Sequence, residues 1–424
     1  MKSIILAAGK GTRMYSNLPK VLHEIMGKPL LGYVLDEVKN LCEENIVIVG
    51  YKNEEVEGYL KTNHKNAKSV LQKEQLGTGN AVACALGELS GYKGDVIILC
   101  GDTPLVTEES LKKFIDFHAE EKNELTVMSA VVDNPKNYGR IVRNTDGTIN
   151  SIVEEKDATE EQKKINEINA GIYCLNWEKI SPFLSNLKSN NAQNEYYLTD
   201  IVKAANENNL KTGAYIVEDE KETYGINTRV NLAEAAKMLR DRINTKLMLS
   251  GVTIISPETT WISADTKIGT DTVIYPSCTI EGKNEIGQNC KIGPFAHIRG
   301  DVKTGDNVKI GNYVEIKKSE ICYNTNICHL TYIGDSEVGS EVNIGAGTIT
   351  ANYNALTKEK KRTVIEDRVK IGSNSVLVAP VEIGEGANIG AGSVITKNVE
   401  PYALALTRSP LTVIKDWVRK QLGK

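Results

Sequence analysis

An aliphatic residue returns every six positions through the second half of this chain, and few folds accommodate that. Ile262, Ile268, Ile274, Ile280, Ile286, Ile292, Ile298, Ile310 and Ile316 fill nine of ten successive sixth positions; Thr304 is the exception. The count slips by one and resumes at Ile321, Ile327 and Ile333, then slips to Val338 and Ile344. After an excursion it returns at Ile365, Ile371, Leu377, Ile383, Ile389 and Ile395. Glycine often follows, as at Gly269, Gly287, Gly293, Gly311 and Gly384. A period of six fits neither a helix, at about 3.6 residues per turn, nor a lone strand, at about two. It fits a parallel β-helix in which each hexapeptide makes one flat side and one corner. The aliphatic residue points inward, coils stack about 4.8 Å apart, and glycine takes the corner where a side chain is costly. Such a prism by itself is only a scaffold.

The first half follows another rule. Apolar runs at 3–7, 45–50, 69–71 and 95–100 predict buried strands, with helical stretches at 29–42, 53–61 and 77–89 between them. That alternation predicts an α/β Rossmann-like domain: a parallel sheet with helices on both faces. Near 125–175 the pattern becomes richer in β segments. Residues 228–249 predict one long helix ended by Gly251, and 411–421 a short closing helix. The expected organisation is a nucleotide-type domain over 1–227, a linker helix over 228–250 and a β-helix over 251–424.

A net charge of −4 offers no basic field for nucleic acid, though phosphorylated substrates need only a few local cations. The eight cysteines are scattered without a CxxC pair, which predicts reduced thiols in a cytoplasmic protein and no zinc cluster. No apolar run approaches the roughly 18 residues that span a membrane.

After the first strand comes Leu6-Ala7-Ala8-Gly9-Lys10-Gly11-Thr12-Arg13-Met14, then Leu18-Pro19-Lys20. Small residues let backbone N–H groups approach phosphates, and Arg13 and Lys20 add fixed positive charge. The spacing is neither a Walker A loop nor a dinucleotide fingerprint. The conjunction AAGxGTRM with xLPK resembles the sugar-nucleotide pyrophosphorylase family. Gln72-Lys73-Glu74-Gln75-Leu76-Gly77-Thr78-Gly79 resembles its uracil-reading segment, and Cys100-Gly101-Asp102-Thr103-Pro104-Leu105 and Tyr224-Gly225-Ile226-Asn227 its metal-binding segments. Tyr138-Gly139-Arg140, Glu154 with Lys156, Asn169 and Asn194-Glu195-Tyr196-Tyr197-Leu198-Thr199-Asp200 are similar to the N-acetylglucosamine-specific branch. The resemblance implies Mg²⁺ on Asp102 and Asn227, and Arg13 and Lys20 as the catalytic cations. It implies UTP and the sugar nucleotide on Leu6, Ala7, Ala8, Gly9, Lys20, Gln72, Gly77, Thr78, Gly101, Asp102, Gly139, Glu154, Asn169 and Asn227.

Of five histidines, His23, His64 and His118 read as ordinary. His297 adjoins the inward Ile298, so its ring is expected to face solvent or a neighbouring subunit. His329 has polar company in Arg299, Glu315, Lys317, Tyr332, Asn343 and Asn352-Tyr353-Asn354, which makes it a candidate general base. The run Gly311-Asn312-Tyr313-Val314-Glu315-Ile316-Lys317-Lys318, then Cys328-His329-Leu330-Thr331-Tyr332, then Asn343-Ile344-Gly345-Ala346-Gly347-Thr348 resembles the acetyltransferase half of the bifunctional uridylyltransferase/acetyltransferases. That resemblance covers essentially the whole chain and implies a left-handed β-helix. His329 would act as base and the Ala346 N–H would face the oxyanion. Arg299, Lys317, Tyr332 and Asn343 would hold the sugar phosphate. Ala346, Asn352, Tyr353, Ser373, Ala391 and Arg408 would line the acetyl-CoA groove. The excursion 351–362 reads either as a solvated loop or as a lid.

The implied chemistry is acetylation of glucosamine-1-phosphate by acetyl-CoA, then uridylyl transfer from UTP to N-acetylglucosamine-1-phosphate. It supplies cell-wall precursors in a bacterial cytoplasm, and a homotrimer is implied. Two other readings compete: a uridylyltransferase with a purely structural prism, and a binding protein with relic sites. The company of His329 argues against the first, and the intact glycine loop, Asp102 and Asn227 against the second. Two departures stand out. Arg299-Gly300-Asp301 replaces the family's Arg-Pro-Gly, and the stretch from Gly251 to Gly293 is expected to be short by about two coils of three hexapeptides.

Overall fold

The computed structural model describes residues 1–424. The chain divides into two compact units, Met1–Leu239 and Arg240–Lys424.

The first unit is built on nine strands: β1 (Lys2–Ala7), β2 (Glu44–Val49), β3 (Ala67–Leu71), β4 (Asp95–Cys100), β5 (Leu125–Val131), β6 (Arg140–Arg143), β7 (Ile149–Val153), β8 (Glu167–Asn176) and β9 (Thr212–Ile216). Seven lie in the order β9-β5-β8-β4-β1-β2-β3; β6 pairs with β8 and β7. β1 runs parallel to both neighbours and is covered on both faces. Ile5, Val47, Val49 and Leu99 pack with Leu31, Val34 and Phe114 on one side. Ile4, Ile46, Ile48 and Ile98 pack with Val82, Ile180 and Ile201 on the other. Burial on both faces is why these strands read as unbroken aliphatic runs.

The sheet is mixed, which corrects the expectation of a parallel one. β8 runs antiparallel to both β4 and β5. The chain returns from β5 to β8 through the β6–β7 hairpin, with no crossover helix to bring it back parallel. A helix spans Arg229–Leu249, and the division between units falls within it.

The second unit is a left-handed β-helix of strands two to four residues long, arranged in three parallel sheets. Each sheet carries one aliphatic ladder. Ile274, Ile292, Ile310, Ile327, Ile344, Ile371 and Ile389 stack in register on the first side. Ile262, Ile280, Ile298, Ile316 and Ile333 do so on the second. These residues are at most 3% exposed. Two rungs are threonines. The Thr304 hydroxyl accepts the Gly287 N–H (3.1 Å), and the buried Thr350 hydroxyl accepts the Gly334 N–H (2.8 Å). At the start of the unit, Ile243 and Leu247 pack on the ladders, and the buried Asn244 amide donates to the carbonyls of Pro257 and Thr260, each at 2.9 Å.

The excursion folds as a hairpin: Lys361 N–H donates to Asn352 O (2.8 Å), and Asn354 N–H to Glu359 O (2.9 Å). The closing helix is shorter than expected, spanning Trp417–Gln421 only. Leu411, Val413 and Ile414 are 90%, 73% and 64% exposed. No burial compensates for ordering that segment, so helix nucleation there goes unsupported.

Candidate active sites

At the C-terminal edge of β1 and β4, where open α/β sheets hold ligands, a cleft of about 270 Å³ opens in the first unit. It is lined by Leu6, Ala8, Gly9, Lys20, Gln72, Gly77, Thr78 and Asp102, together with Val21, Gln75, Ala81, Cys100 and Glu195. Gly11 has φ +62°, and a Cβ there would lie 2.6 Å from Lys20 Cβ. The loop thus closes over the Lys20 stem only because position 11 is glycine. Lys20 Nζ forms an ion pair with Asp102 and donates to Asn227 Oδ1 (3.2 Å). Arg13 Nη2 donates to the same oxygen (3.0 Å). Ile226 N–H bonds to Asp102 O (3.0 Å), which sets Asn227 beside Asp102.

The Lys20 ammonium therefore occupies the point where a carboxylate and an amide oxygen converge. Two hard oxygen donors around one cation suit Mg²⁺, which completes its shell with water and substrate phosphates. No group of three or more His, Cys, Asp or Glu converges to form a closed metal cage.

Gln72 is buried. Its amide donates to Gly77 O (3.2 Å) and Asn80 Oδ1 (2.8 Å), leaving its oxygen as an acceptor. Gly139, Glu154 and Asn169 form a second group. A Cβ on Gly139 would lie 3.5 Å from Asn169 Cβ and 3.6 Å from Glu154 Oε1, and Asn169 N–H donates to Gly139 O (2.9 Å). Burial pushes the Glu154 carboxyl above its ordinary range, and Thr199 donates to it at 3.3 Å. The segment Tyr196–Thr199 links the two groups: Tyr196 O accepts Gly79 N–H (2.8 Å), and Leu198 N–H donates to Thr78 Oγ1 (3.1 Å). Ala7 is buried in the core. Gly101 serves as a spacer, since a Cβ there would meet Leu6 O at 3.1 Å. Gln75, Cys100 and Glu195 lie within the family-like motifs without a role of their own there, and Val21 gives no signal in sequence.

In the second unit His329 stands at an exposed corner, in register with Asn312 on the preceding coil. His329 Nδ1 and Asn312 Oδ1 are 3.0 Å apart. The register Ile327, Ile344, Ile371, Ile389 places His329, Ala346, Ser373 and Ala391 two residues beyond each rung, in one column. Gly345 and Gly372 keep it tight: a Cβ on either would approach Ser373 N at 2.6 Å or Ala391 N at 2.4 Å. Arg408 lies above, its Nη2 3.3 Å from where a Gly390 Cβ would be.

On the adjoining side Arg299, Lys317 and Gly334 are in register. The Tyr332 hydroxyl and the Asn352 amide crowd Gly334, at 2.3 and 2.8 Å from where its Cβ would stand. Arg299 pairs with Glu315 (2.8 Å). Lys317 is held below the ordinary lysine range, first by Lys360 of the hairpin and then by Arg299. Lys360 belongs to no motif in the sequence; its proximity to Lys317 makes it a member of this cationic group. Tyr353 is exposed and bridges to Lys360. Asn343 is not brought to this group. It pairs with Asn326, at the other end of the strand from His329. His297 lies 3.3 Å from Glu281.

The Arg299-Gly300-Asp301 turn is built for glycine. Gly300 has φ +55°, and its N–H donates to Glu281 O (2.7 Å). Proline could make neither the bond nor the angle.

Residues 2–260 match the family described as nucleotidyl transferase. Residues 285–318 and 362–397 match the bacterial transferase hexapeptide, six repeats. The chain is 46% identical to "Bifunctional protein GlmU" of Thermoanaerobacter pseudethanolicus over 456 residues, covering 100% of this chain and 98% of that protein. The protein of the same name from Streptococcus uberis is 44% identical, covering 99% and 98%. That from Clostridium botulinum is 42% identical, covering 99% and 98%.

Proposed function

The chain belongs to the GlmU family of bifunctional proteins, and on that premise we propose that it makes UDP-N-acetylglucosamine in two steps at two sites. The observation that carries this reading is the convergence of Arg13, Lys20, Asp102 and Asn227 at the mouth of the cleft.

In the second unit His329 Nε2 takes a proton from the amine of glucosamine-1-phosphate as its nitrogen attacks the acetyl-CoA carbonyl. The C–N bond forms and the C–S bond breaks, and the thiolate leaves with the proton held by the imidazole. The Ala346 N–H faces the oxyanion. Arg299, Lys317 and Tyr332 hold the sugar phosphate, and the column Ser373–Ala391 with Arg408, Asn352 and Tyr353 holds acetyl-CoA. Asn343 stands away from His329 within one chain, and the apolar tail residues from Leu411 onward are uncovered. A homotrimer, with grooves between adjacent prisms, accounts for both.

In the first unit Gln72 accepts from uracil while Gly77 and Thr78 seat the base. Gly139, Glu154 and Asn169 hold N-acetylglucosamine-1-phosphate. Its phosphate oxygen attacks the α-phosphorus of UTP, and pyrophosphate leaves toward Arg13 and Lys20. Both partners are anionic, so positioning and charge neutralisation supply the catalysis. Asp102 and Asn227 would hold Mg²⁺, which when bound neutralises phosphate charge. A requirement for UTP and acetyl-CoA supports a cytoplasmic enzyme; no helix is long and apolar enough to cross a membrane.

The test follows free thiol from glucosamine-1-phosphate with acetyl-CoA, and separately pyrophosphate from supplied N-acetylglucosamine-1-phosphate with UTP, in the parent, His329→Ala and Asp102→Ala proteins. Thiol release should fall about 10²–10⁴-fold only in the His329 variant, and pyrophosphate release about 10²–10³-fold only in the Asp102 variant. Pyrophosphate without thiol in the parent would reduce the prism to a scaffold.

A further inference from the structure

Arg229 is the second residue after Asn227 and opens the helix Arg229–Leu249. Its Nε donates to Met14 O (3.2 Å), and its Nη1 lies 3.2 Å from His23 Nδ1. Met14 follows Arg13 and closes the turn Thr12–Met14, its own N–H bonded to Gly11 O (2.9 Å). His23 follows Lys20 by three residues; its N–H donates to Lys20 O (3.2 Å), and its carbonyl accepts Leu30 N–H (3.0 Å). One guanidinium thus joins the three backbone segments that carry Arg13, Lys20 and Asn227, whose side chains meet at Asn227 Oδ1.

The chemistry of the contact fixes its state. Guanidinium has no acceptor, so His23 Nδ1 accepts and Nε2 carries the proton. That Nε2 is buried without a partner, and His23 is 5% exposed. A buried unpaired donor is unfavourable, and hydrophobic packing alone would not require a histidine here. Arg13 and Lys20 are like charges drawn to one neutral oxygen, and Asp102, paired with Lys20, is one carboxylate against two cations, so their mutual repulsion is only partly offset.

We propose that Arg229 and His23 are positioning residues for uridylyl transfer, holding the phosphate-binding cations and Asn227 in their working geometry before the triphosphate arrives. The inference rests on the uridylyl reading of the cleft.

The test compares Arg229→Lys, which keeps the charge but lacks the planar fork that spans the two acceptors, with Arg229→Ala, His23→Asn, His23→Leu and Lys20→Ala. UTP binding is titrated calorimetrically without Mg²⁺, alongside pyrophosphate-release kinetics and melting temperature. Arg229→Lys should weaken UTP binding and lower kcat/KM about 10–100-fold, with melting near that of the parent. His23→Asn, which keeps an acceptor, should retain more than His23→Leu. Parent-like UTP affinity and kcat/KM in both Arg229→Lys and His23→Leu would overturn the proposal, as would losses that merely track the melting temperature. If Arg229→Ala fails to fold, Arg229→Lys reads the same quantities. If Lys20→Ala leaves pyrophosphate release intact, the cleft reading falls and takes the clamp with it. If Lys20→Ala abolishes release while Arg229→Lys does not change it, the clamp alone falls.

Discussion

Asn312 lies in register with His329 on the adjacent coil, its side-chain oxygen 3.0 Å from His329 Nδ1. An oxygen there accepts, so the proton sits on Nδ1 and the lone pair on Nε2 faces outward, ready to take a proton from an amine. The prism supplies this pairing through coil spacing alone, without a carboxylate behind the histidine.

Replacing that oxygen should therefore cost rate without cost to the other reaction. Asn312→Leu is expected to lower acetyl transfer about tenfold, a fraction of what a general base contributes. Asn312→Asp, which keeps an acceptor, should retain more. Thiol release over a pH series, with pyrophosphate release as the internal reference, checks both.

Gly311 stands one residue before, and a Cβ there would lie 1.8 Å from Cys328 O. Gly311→Ala must displace backbone carrying His329. We expect a loss of about 2–4 kcal/mol, read as a lower melting temperature for the β-helix, with acetyl transfer lost and uridylyl transfer kept.

Placing at position 300 the proline that the family resemblance implies should do harm in this chain. Gly300→Pro removes the N–H that donates to Glu281 O at 2.7 Å and forbids φ +55°. A cost of about 3 kcal/mol is expected, with a raised KM for glucosamine-1-phosphate because Arg299 adjoins the turn. Steady-state kinetics beside a melting curve decide it.

The cysteines should sort by burial. Cys322 is exposed; burial pushes Cys42 up to about 11 and Cys100 up to about 12. Alkylation near pH 8 should label Cys322 first and Cys100 among the last, as peptide mass spectrometry will show. The folded thiols keep protons that the unfolded chain releases above its ordinary value of 9.0. Their contribution to stability is therefore complete below pH 9 and declines as pH climbs toward 12.

Much of this architecture was legible in sequence because its periods are strict. Ile274, Ile292 and Ile310 recur at a spacing only a stacked coil satisfies, and the glycine loop before Arg13 announces its chemistry. What escaped had no local signal. β8 reverses direction because of a hairpin two strands earlier, a tertiary choice. Thr350 replaces a rung and so hid the ladder's passage into the excursion. Lys360 joins Lys317 only once the hairpin folds back, and Arg229 meets Met14 across more than two hundred positions. Motif reading found Asn343 and His329 alike, yet no motif records that Asn343 pairs with Asn326, at the far end of the strand that carries His329.

The two threonine rungs have a consequence for how the prism assembles. Aliphatic ladders are interchangeable: one isoleucine stacks on any other, so coils could thread one step out of place at little loss. Thr304 and Thr350 each accept a backbone N–H from the neighbouring coil, that of Gly287 and that of Gly334. A misthreaded chain that left the buried Thr350 hydroxyl unpaired would lose about 1–3 kcal/mol, and the half-buried Thr304 less. They act as index pins in an otherwise self-similar screw, so the turn that bears His329 comes to rest at one place along the axis.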